Sequence, residues 1–221
     1  SAIFFCFPIV IVIKSSLIIS GYPPYHFSNE GATIDQMELD FFLGDAIVVR
    51  VTDKKAEEAI TMEDIEPYKE QITPGKIVDM GIKDANNMGA AMAPAFVDTL
   101  ITHFMDTGRN PSYYDAIISG DLGHIGKELA IDIAKSQGYN IKSNYNDCGV
   151  LIFDKNAQDT HSGGSGCACC GTVFSGYLFK QLKEKKIKKL LLIATGALMN
   201  STSSQQGESI PGIAHAISIE I

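Results

Sequence analysis

The sequence has little positive charge for its length. Its 221 residues include 18 lysines and arginines against 26 aspartates and glutamates, a net charge of −8. Proteins that bind nucleic acids without sequence preference neutralise phosphates with Lys and Arg, so this balance argues against a nucleic-acid partner. The remaining composition, 45% hydrophobic and 20% charged, is typical of a globular protein with a core. It excludes a disordered chain, a collagen and a coiled coil.

Cysteine is scarce and unevenly placed. Five are present, and three of them are Cys167, Cys169 and Cys170. A secreted disulfide framework has an even number of dispersed cysteines, so we expect a reducing compartment. The repeated Cys or His pairs of a zinc site are missing, and we expect no metal and no other cofactor. Buried thiols are the favoured interpretation. A nucleophile activated at a helix start is the alternative.

No apolar run in the sequence reaches the roughly 20 residues that span a bilayer. The amino-terminal run, residues 2–13, is too short and contains Pro8. Its β-branched residues favour a buried strand, with a membrane-proximal segment or a truncation artefact as alternatives. No basic region precedes it, so the pattern does not predict a signal peptide. We divide the chain into an apolar segment at 1–43 and a domain at 44–221, with a charged surface insertion at 53–70.

The part of the chain after residue 74 alternates apolar strand patterns with helical patterns, which predicts an α/β fold. One helix is predicted from Asn87 or Gly89 to about Thr107, with Gly108 as its C-terminal stop. The others are predicted at 127–137 and from 171 to about 185. Strands are predicted at 76–80, 114–118, 149–153, 189–195 and 213–220.

A glycine-rich segment precedes the third of these helices. It contains Gly163, Gly164, Ser165, Gly166 and Cys167. The spacing matches neither a Walker A motif nor GxGxxG. Glycines let a ligand approach the backbone closely, and the N–H groups at a helix start favour anions. Anion contact and tight helix–sheet packing remain equally good interpretations.

A second candidate site lies in the loop at 119–126, which contains Asp121, Gly123 and His124. The loop follows a predicted strand and precedes a helix, the position where open α/β sheets bind ligands. There His124 could act as an acid, a base or a hydrogen-bond donor. The alternative is that Asp121 caps the loop and His124 is polar surface. We expect His215 to be a satisfied core histidine and His161 to lie on a loop surface.

The only basic run contains Lys183, Lys185, Lys186, Lys188 and Lys189. Cations suit the last turn of a helix because of its dipole, so a solvated helix end is the favoured interpretation. Attraction to an anionic membrane surface is the alternative.

Several motifs together resemble one known family, the stage V sporulation protein AD family. They are Gly75–Asp84, Asn87–Ala95, Tyr114–Leu122, Asn146–Gly149, Gly163–Cys169, Ala194–Leu198 and Gln205–His215. The motifs are specific, follow the family order and cover residues 75–221. Residues 1–43 show no resemblance to it.

The resemblance implies the second half of a thiolase-like fold, a mixed sheet covered by helices, with the N-terminal half missing or replaced. It implies a non-catalytic protein that binds dipicolinic acid, with or without calcium, and helps to load it into the developing spore. Membrane-spanning stage V sporulation proteins would be its partners, at the inner membrane of the forespore. The ligand-binding residues would be Asp121, Gly123, His124, Gly164, Ser165, Gly166 and Cys167.

Two other functions stay open from the sequence. One is an acyl-thioester condensing enzyme that uses Cys167 as its nucleophile with His124 assisting. The other is a truncated fragment without a function of its own. A lone half-fold would expose apolar surface, part of which a homodimer could cover.

Overall fold

The computed structural model describes residues 9–12, 48–51, 70–163, 166, 168–199 and 201–221. Strand β1 (Ile9–Val12) pairs antiparallel with β2 (Val48–Val51) in a two-stranded sheet. The strand confirms the predicted element type in the amino-terminal apolar run, and the predicted burial stays a prediction. The charged segment predicted as an insertion at 53–70 lies outside the described residues up to 69, and the domain division stays a prediction.

A five-stranded mixed sheet forms the centre of the remaining structure, in the order β3-β7-β6-β4-β5. Strands β4, β5 and β6 are parallel, whereas β7 is antiparallel to β6 and β3 is antiparallel to β7. This arrangement confirms the α/β class, while the assignment to half of a thiolase-like fold stays a prediction. The strands are β3 (Ile72–Thr73), β4 (Ala116–Ser119), β5 (Tyr145–Asp147), β6 (Lys189–Ala197) and β7 (Gly212–Glu220).

Helices cover both faces of this sheet. Two longer helices, α1 and α2, share one core with β4, β6 and β7, and a shorter helical segment packs on the opposite face. Alternate residues of β6 therefore enter different cores, which explains why Leu190–Ile193 are all buried and why the run is almost wholly apolar. The helices are α1 (Met88–Thr107), α2 (Gly123–Ser136), α3 (Cys148–Ile152), α4 (Cys169–Val173), α5 (Phe179–Lys183) and α6 (Ser201–Gln205), with a π-helical turn at Phe174–Leu178 between α4 and α5.

Helix α1 begins and ends where local sequence signals predict. The Asn87 side chain accepts a hydrogen bond from the Ala90 N–H at the first turn. At the other end Gly108 adopts a left-handed φ of 66°, which glycine tolerates without strain. Phe96 and Leu100, one turn apart, are fully buried against the sheet.

Three predicted elements differ from the structure. The segment predicted as a strand at 149–153 is α3, and the strand is β5, which lies immediately before it. The reason is Asp147, whose carboxylate accepts the N–H groups of Gly149 and Val150 and starts a helical turn. Residues 76–80 form only one bridge, Val78 to Gly212. Helix α2 begins at Gly123, four residues before the predicted start.

At the opposite end of β4 from the loop at 119–123, a buried histidine joins three elements. His103 of α1 is fully buried, with its Nδ1 2.7 Å from the Thr73 hydroxyl and its Nε2 against the Tyr114 hydroxyl. Arg109 donates to the same Tyr114 hydroxyl at 3.1 Å and pairs with Glu220 at 3.1 Å. Burial, assisted by the Arg109 charge, lowers the pKa of His103 from 6.5 to about 4.

This histidine makes stability depend on pH. Because the folded state holds His103 neutral, its contribution is complete above pH 6.5 and is lost as the pH falls from 6.5 to 4. We expect the free energy of unfolding to fall by about 2 to 3 kcal/mol over that range through this group. A His103→Gln variant can retain hydrogen bonds to Thr73 and Tyr114 but cannot titrate. Urea unfolding of both proteins at several pH values tests this, and parallel curves would contradict it.

Candidate functional site

The candidate site lies at the carboxyl edge of the parallel strands, where β4 and β5 end and β6 continues past them. The loop that follows β4 contains Asp121 and leads into α2 at Gly123. Gly163 and Gly166 of the glycine-rich segment lie against it, as does the preceding Ser162. This is the edge at which α/β sheets bind ligands.

Asp147, at the end of β5, is the residue that holds this loop in place. Its side chain is completely buried and accepts five hydrogen bonds. One carboxylate oxygen accepts from the Ser119 hydroxyl at 2.6 Å and the Leu122 N–H at 2.8 Å, and the other accepts the three N–H groups of Gly123, Gly149 and Val150 at 2.9 to 3.2 Å. Burial raises the pKa of Asp147, while the hydrogen bonds from Ser119 and the backbone oppose that rise.

Asp121 connects the loop to β6 and to the glycine-rich segment. Its Oδ1 accepts the Thr195 hydroxyl at 2.8 Å, and its backbone N–H donates back to the Thr195 Oγ1 at 3.1 Å. Its Oδ2 accepts the Gly166 N–H at 3.1 Å. With both oxygens engaged, the carboxylate orients the two loops.

Two glycines allow the loops to approach each other. Gly123 and Gly163 have φ values of 68° and 146°, both in the region that side chains rarely adopt. A Cβ built on Gly123 would lie 2.6 Å from the Gly163 Cα, which no real contact permits. Ile125 follows His124 in α2, and its N–H donates a hydrogen bond to the Ser162 carbonyl oxygen at 3.4 Å.

His124 stands at the start of α2 beside an open cleft. The cleft has a volume of about 400 Å³ and is lined by His124 and by residues 155–161, including Lys155. The Nε2 atom of His124 is buried and has no hydrogen-bond partner among the described residues. A buried ring nitrogen without a partner costs free energy, and a polar ligand or an ordered water in the cleft would remove that cost.

The structure therefore brings four of the predicted site residues together, and three cannot be placed. Asp121, Gly123, His124 and Gly166 lie within one set of contacts, whereas Gly164, Ser165 and Cys167 lie outside the described residues. The sequence analysis missed three residues that build the site: Asp147, Thr195 and Lys155. Asp147 and Thr195 both fall within motifs that carry the family resemblance, which was the available signal.

Two other histidines and two cysteines lie as expected. His215 accepts the Gly75 N–H at 3.0 Å, and His161 is 84% exposed at its side chain. Cys148 and Cys169 are buried among apolar residues. Burial raises the pKa of Cys169 to about 12, and a hydrogen bond with Cys170 together with burial raises that of Cys148. Within the described part of the chain, no three metal-ligating side chains converge.

Comparison with known proteins gives two matches. The family model of stage V sporulation protein AD (SpoVAD) matches residues 48–220. Stage V sporulation protein AD of Bacillus subtilis (strain 168) is 45% identical over 148 residues, which cover 67% of this chain and 44% of the relative. The chain thus spans less than half the length of that curated relative. Among the described residues, no helix has the length and apolar character to cross a membrane.

Proposed function

Because the chain belongs to the stage V sporulation protein AD family, we propose that it is a non-catalytic ligand-binding protein of bacterial sporulation whose ligand is dipicolinic acid. The observation that carries this proposal is the convergence of two loops beside His124, a residue of the cleft lining. The Asp121–Gly166 hydrogen bond joins the two loops, and His124, whose buried Nε2 has no partner among the described residues, is part of the cleft lining. Uptake of dipicolinate into the developing spore is the role that follows.

The chemistry of the site suits a planar aromatic dicarboxylate. Lys155 supplies an exposed positive charge at the cleft, and His124 can donate a hydrogen bond from its ring to a carboxylate oxygen. The Asp159 carboxylate also lines the cleft and lies 3.3 Å from the His161 ring, so we expect the ligand to bind on the side of Lys155 and His124.

The carboxylate of Asp121 would repel a dianion bound close to it, because hydrogen bonds from neutral groups leave its charge in place. Its oxygens accept from Thr195 and Gly166, so we assign it to orienting the loops and not to contacting the ligand. Calcium would be an accompanying ion of the ligand.

The two buried thiols of the described residues are unsuited to act as nucleophiles. A nucleophilic cysteine reacts as the thiolate, and both Cys148 and Cys169 have a raised pKa that keeps them protonated at neutral pH. Cys167, the nucleophile of the alternative enzyme hypothesis, lies outside the described residues. We place the chain at the inner membrane of the forespore, as a peripheral protein beside membrane-spanning stage V sporulation proteins.

Calorimetric titration of the folded chain with dipicolinate, with and without calcium, tests the ligand. We expect saturable binding, and we expect His124→Ala and Lys155→Gln to weaken it at least tenfold because each removes a donor to a carboxylate. Lys142→Gln, an exposed lysine away from the cleft, is the matched control and is expected to stay within twofold. Picolinate, with one carboxylate fewer, is expected to bind more weakly than dipicolinate.

A second pair of variants tests the glycine-rich loop. A Cβ at Gly166 would meet no described atom within 4 Å, so Gly166→Val fills space that a ligand could use. Gly176 has the same free surroundings within the helical segment on the other face of the sheet, and Gly176→Val is its control. Equal dipicolinate affinity for the two valine variants, or no saturable binding by the folded wild-type chain, would contradict the proposal.

A further inference from the structure

The end of α5 and the turn after it carry a concentration of positive charge that the rest of this acidic chain lacks. Residues 180–188 contain five lysines and one glutamate, a net charge of +4 on a chain of net charge −8. All five side chains are exposed. We call this surface the lysine patch, and its members are Lys180, Lys183, Lys185, Lys186 and Lys188.

Most of this charge is not neutralised locally. Glu184 pairs with Lys186 at 2.8 Å and lies 3.9 Å from Lys180. No described carboxylate is within ion-pair distance of Lys183 or Lys185, and Asp115 accepts the backbone N–H of Lys188 without pairing with its ammonium. The patch therefore presents uncompensated cations to its surroundings, which charge complementarity matches to an anionic surface.

Exposed apolar side chains lie beside the lysines. Tyr177 is 48% exposed and close enough to Lys186 to influence its pKa. Tyr177, Leu151 and Ile187 line one groove of about 260 Å³ on the same side of the sheet, and the adjacent Ile152 is 41% exposed. An aromatic ring with a polar tip next to lysines and exposed aliphatic groups is the combination found at bilayer–water interfaces.

From this combination we propose that the lysine patch, with Tyr177 at its edge, is the surface by which the protein contacts an anionic phospholipid bilayer. The inference rests on the peripheral membrane location proposed above, and it assigns the face that meets the bilayer. A nucleic acid is the less suitable polyanion because the patch contains no arginine, the side chain that forms bidentate hydrogen bonds with phosphates. Lysine acts as a point charge, which suits a diffuse surface potential.

Co-sedimentation of the full chain with vesicles tests the proposal. We expect binding to vesicles of phosphatidylcholine with 30% phosphatidylglycerol, none to pure phosphatidylcholine, and a loss of at least tenfold in affinity between about 50 and 500 mM salt. The variant Lys183→Gln, Lys185→Gln, Lys188→Gln is expected to lose at least tenfold. The matched control, Lys83→Gln, Lys135→Gln, Lys142→Gln, removes the same charge from other exposed positions and is expected to stay within threefold.

Further measurements distinguish a bilayer from a nucleic acid as the partner of the lysine patch. Tyr177→Ser is expected to weaken vesicle binding severalfold without changing its salt dependence, since it removes an apolar contact and no charge. Equal binding by the two triple variants, or equal affinity for a short DNA duplex, would overturn the proposal. The triple variant of the lysine patch should bind dipicolinate with the affinity of the wild type. A failure of the membrane proposal can therefore be distinguished from a failure of the ligand proposal.

Discussion

Replacing Asp147 with alanine is expected to lower the free energy of unfolding by about 4 kcal/mol, because several buried hydrogen-bond donors lose their acceptor. The four N–H groups of Leu122, Gly123, Gly149 and Val150 lose their acceptor, as does the Ser119 hydroxyl. Each buried unsatisfied donor costs about 1 to 3 kcal/mol, and partial access of water reduces the sum. The same change frees the loop that carries Asp121 and His124, so we also expect dipicolinate binding to be lost.

An asparagine at position 147 gives an intermediate case. Its carbonyl oxygen can still accept three N–H groups, but its NH₂ group faces the Leu122 N–H, and two donors cannot bond. We expect a loss of about 2 kcal/mol, measured by urea unfolding. Asp132→Asn, at an exposed position of α2, is the control and should stay within about 0.5 kcal/mol of wild type. A midpoint for Asp147→Ala equal to that of this control would contradict the role given to Asp147.

Gly89→Ala is expected to destabilise the protein by about 3 kcal/mol, at the upper end of what overpacking costs. A Cβ at Gly89 would overlap the Leu122 carbonyl oxygen and lie 3.3 Å from the Gly126 Cα. Both neighbours are backbone atoms, which cannot turn away as a flexible side chain can. The first turns of α1 and α2 would have to separate, and the loop before α2 would move with them.

The control for this variant is Gly176→Ala, at a helical glycine with nothing within 4 Å of its Cβ position. There alanine should leave stability unchanged or raise it by up to about 1 kcal/mol, because alanine loses less backbone entropy on folding than glycine. Thermal unfolding of both variants distinguishes close packing from intrinsic propensity. Equal stability of the two alanine variants would show that the helices can separate at Gly89 without cost.

The structure shows which parts of the fold local sequence could predict. The ends of α1 were predictable because Asn87 and Gly108 act on their own neighbours. Strand β6 was predictable because burial on both faces requires an unbroken apolar run. The run at 149–153 was wrongly predicted as a strand. Its apolar residues fit either element, and the capping carboxylate of Asp147 decided for a helix.

The candidate site also has features that the sequence could predict and features that it could not. Sequence position alone predicted Asp121 and His124 between a strand and a helix, where α/β proteins bind ligands. The structure places Asp121 there and His124 in the first turn of α2. The sequence could not show that the partners of Asp121 are Thr195 and Gly166, because these residues lie 74 and 45 positions away along the chain. It could not identify Asp147 either, since the carboxylate serves a loop formed 24 to 28 residues earlier.

The amino-acid sequence by itself determined the α/β class, the family membership and the residue types available for binding. These follow from periodicity, local capping and motif order, which need no knowledge of distant contacts. The tertiary structure alone decided which carboxylate is a buried scaffold, which histidine nitrogen has no partner among the described residues, and which face carries the lysine patch. Burial and hydrogen-bond satisfaction depend on what surrounds a side chain in space, and folding brings those neighbours together from remote parts of the sequence.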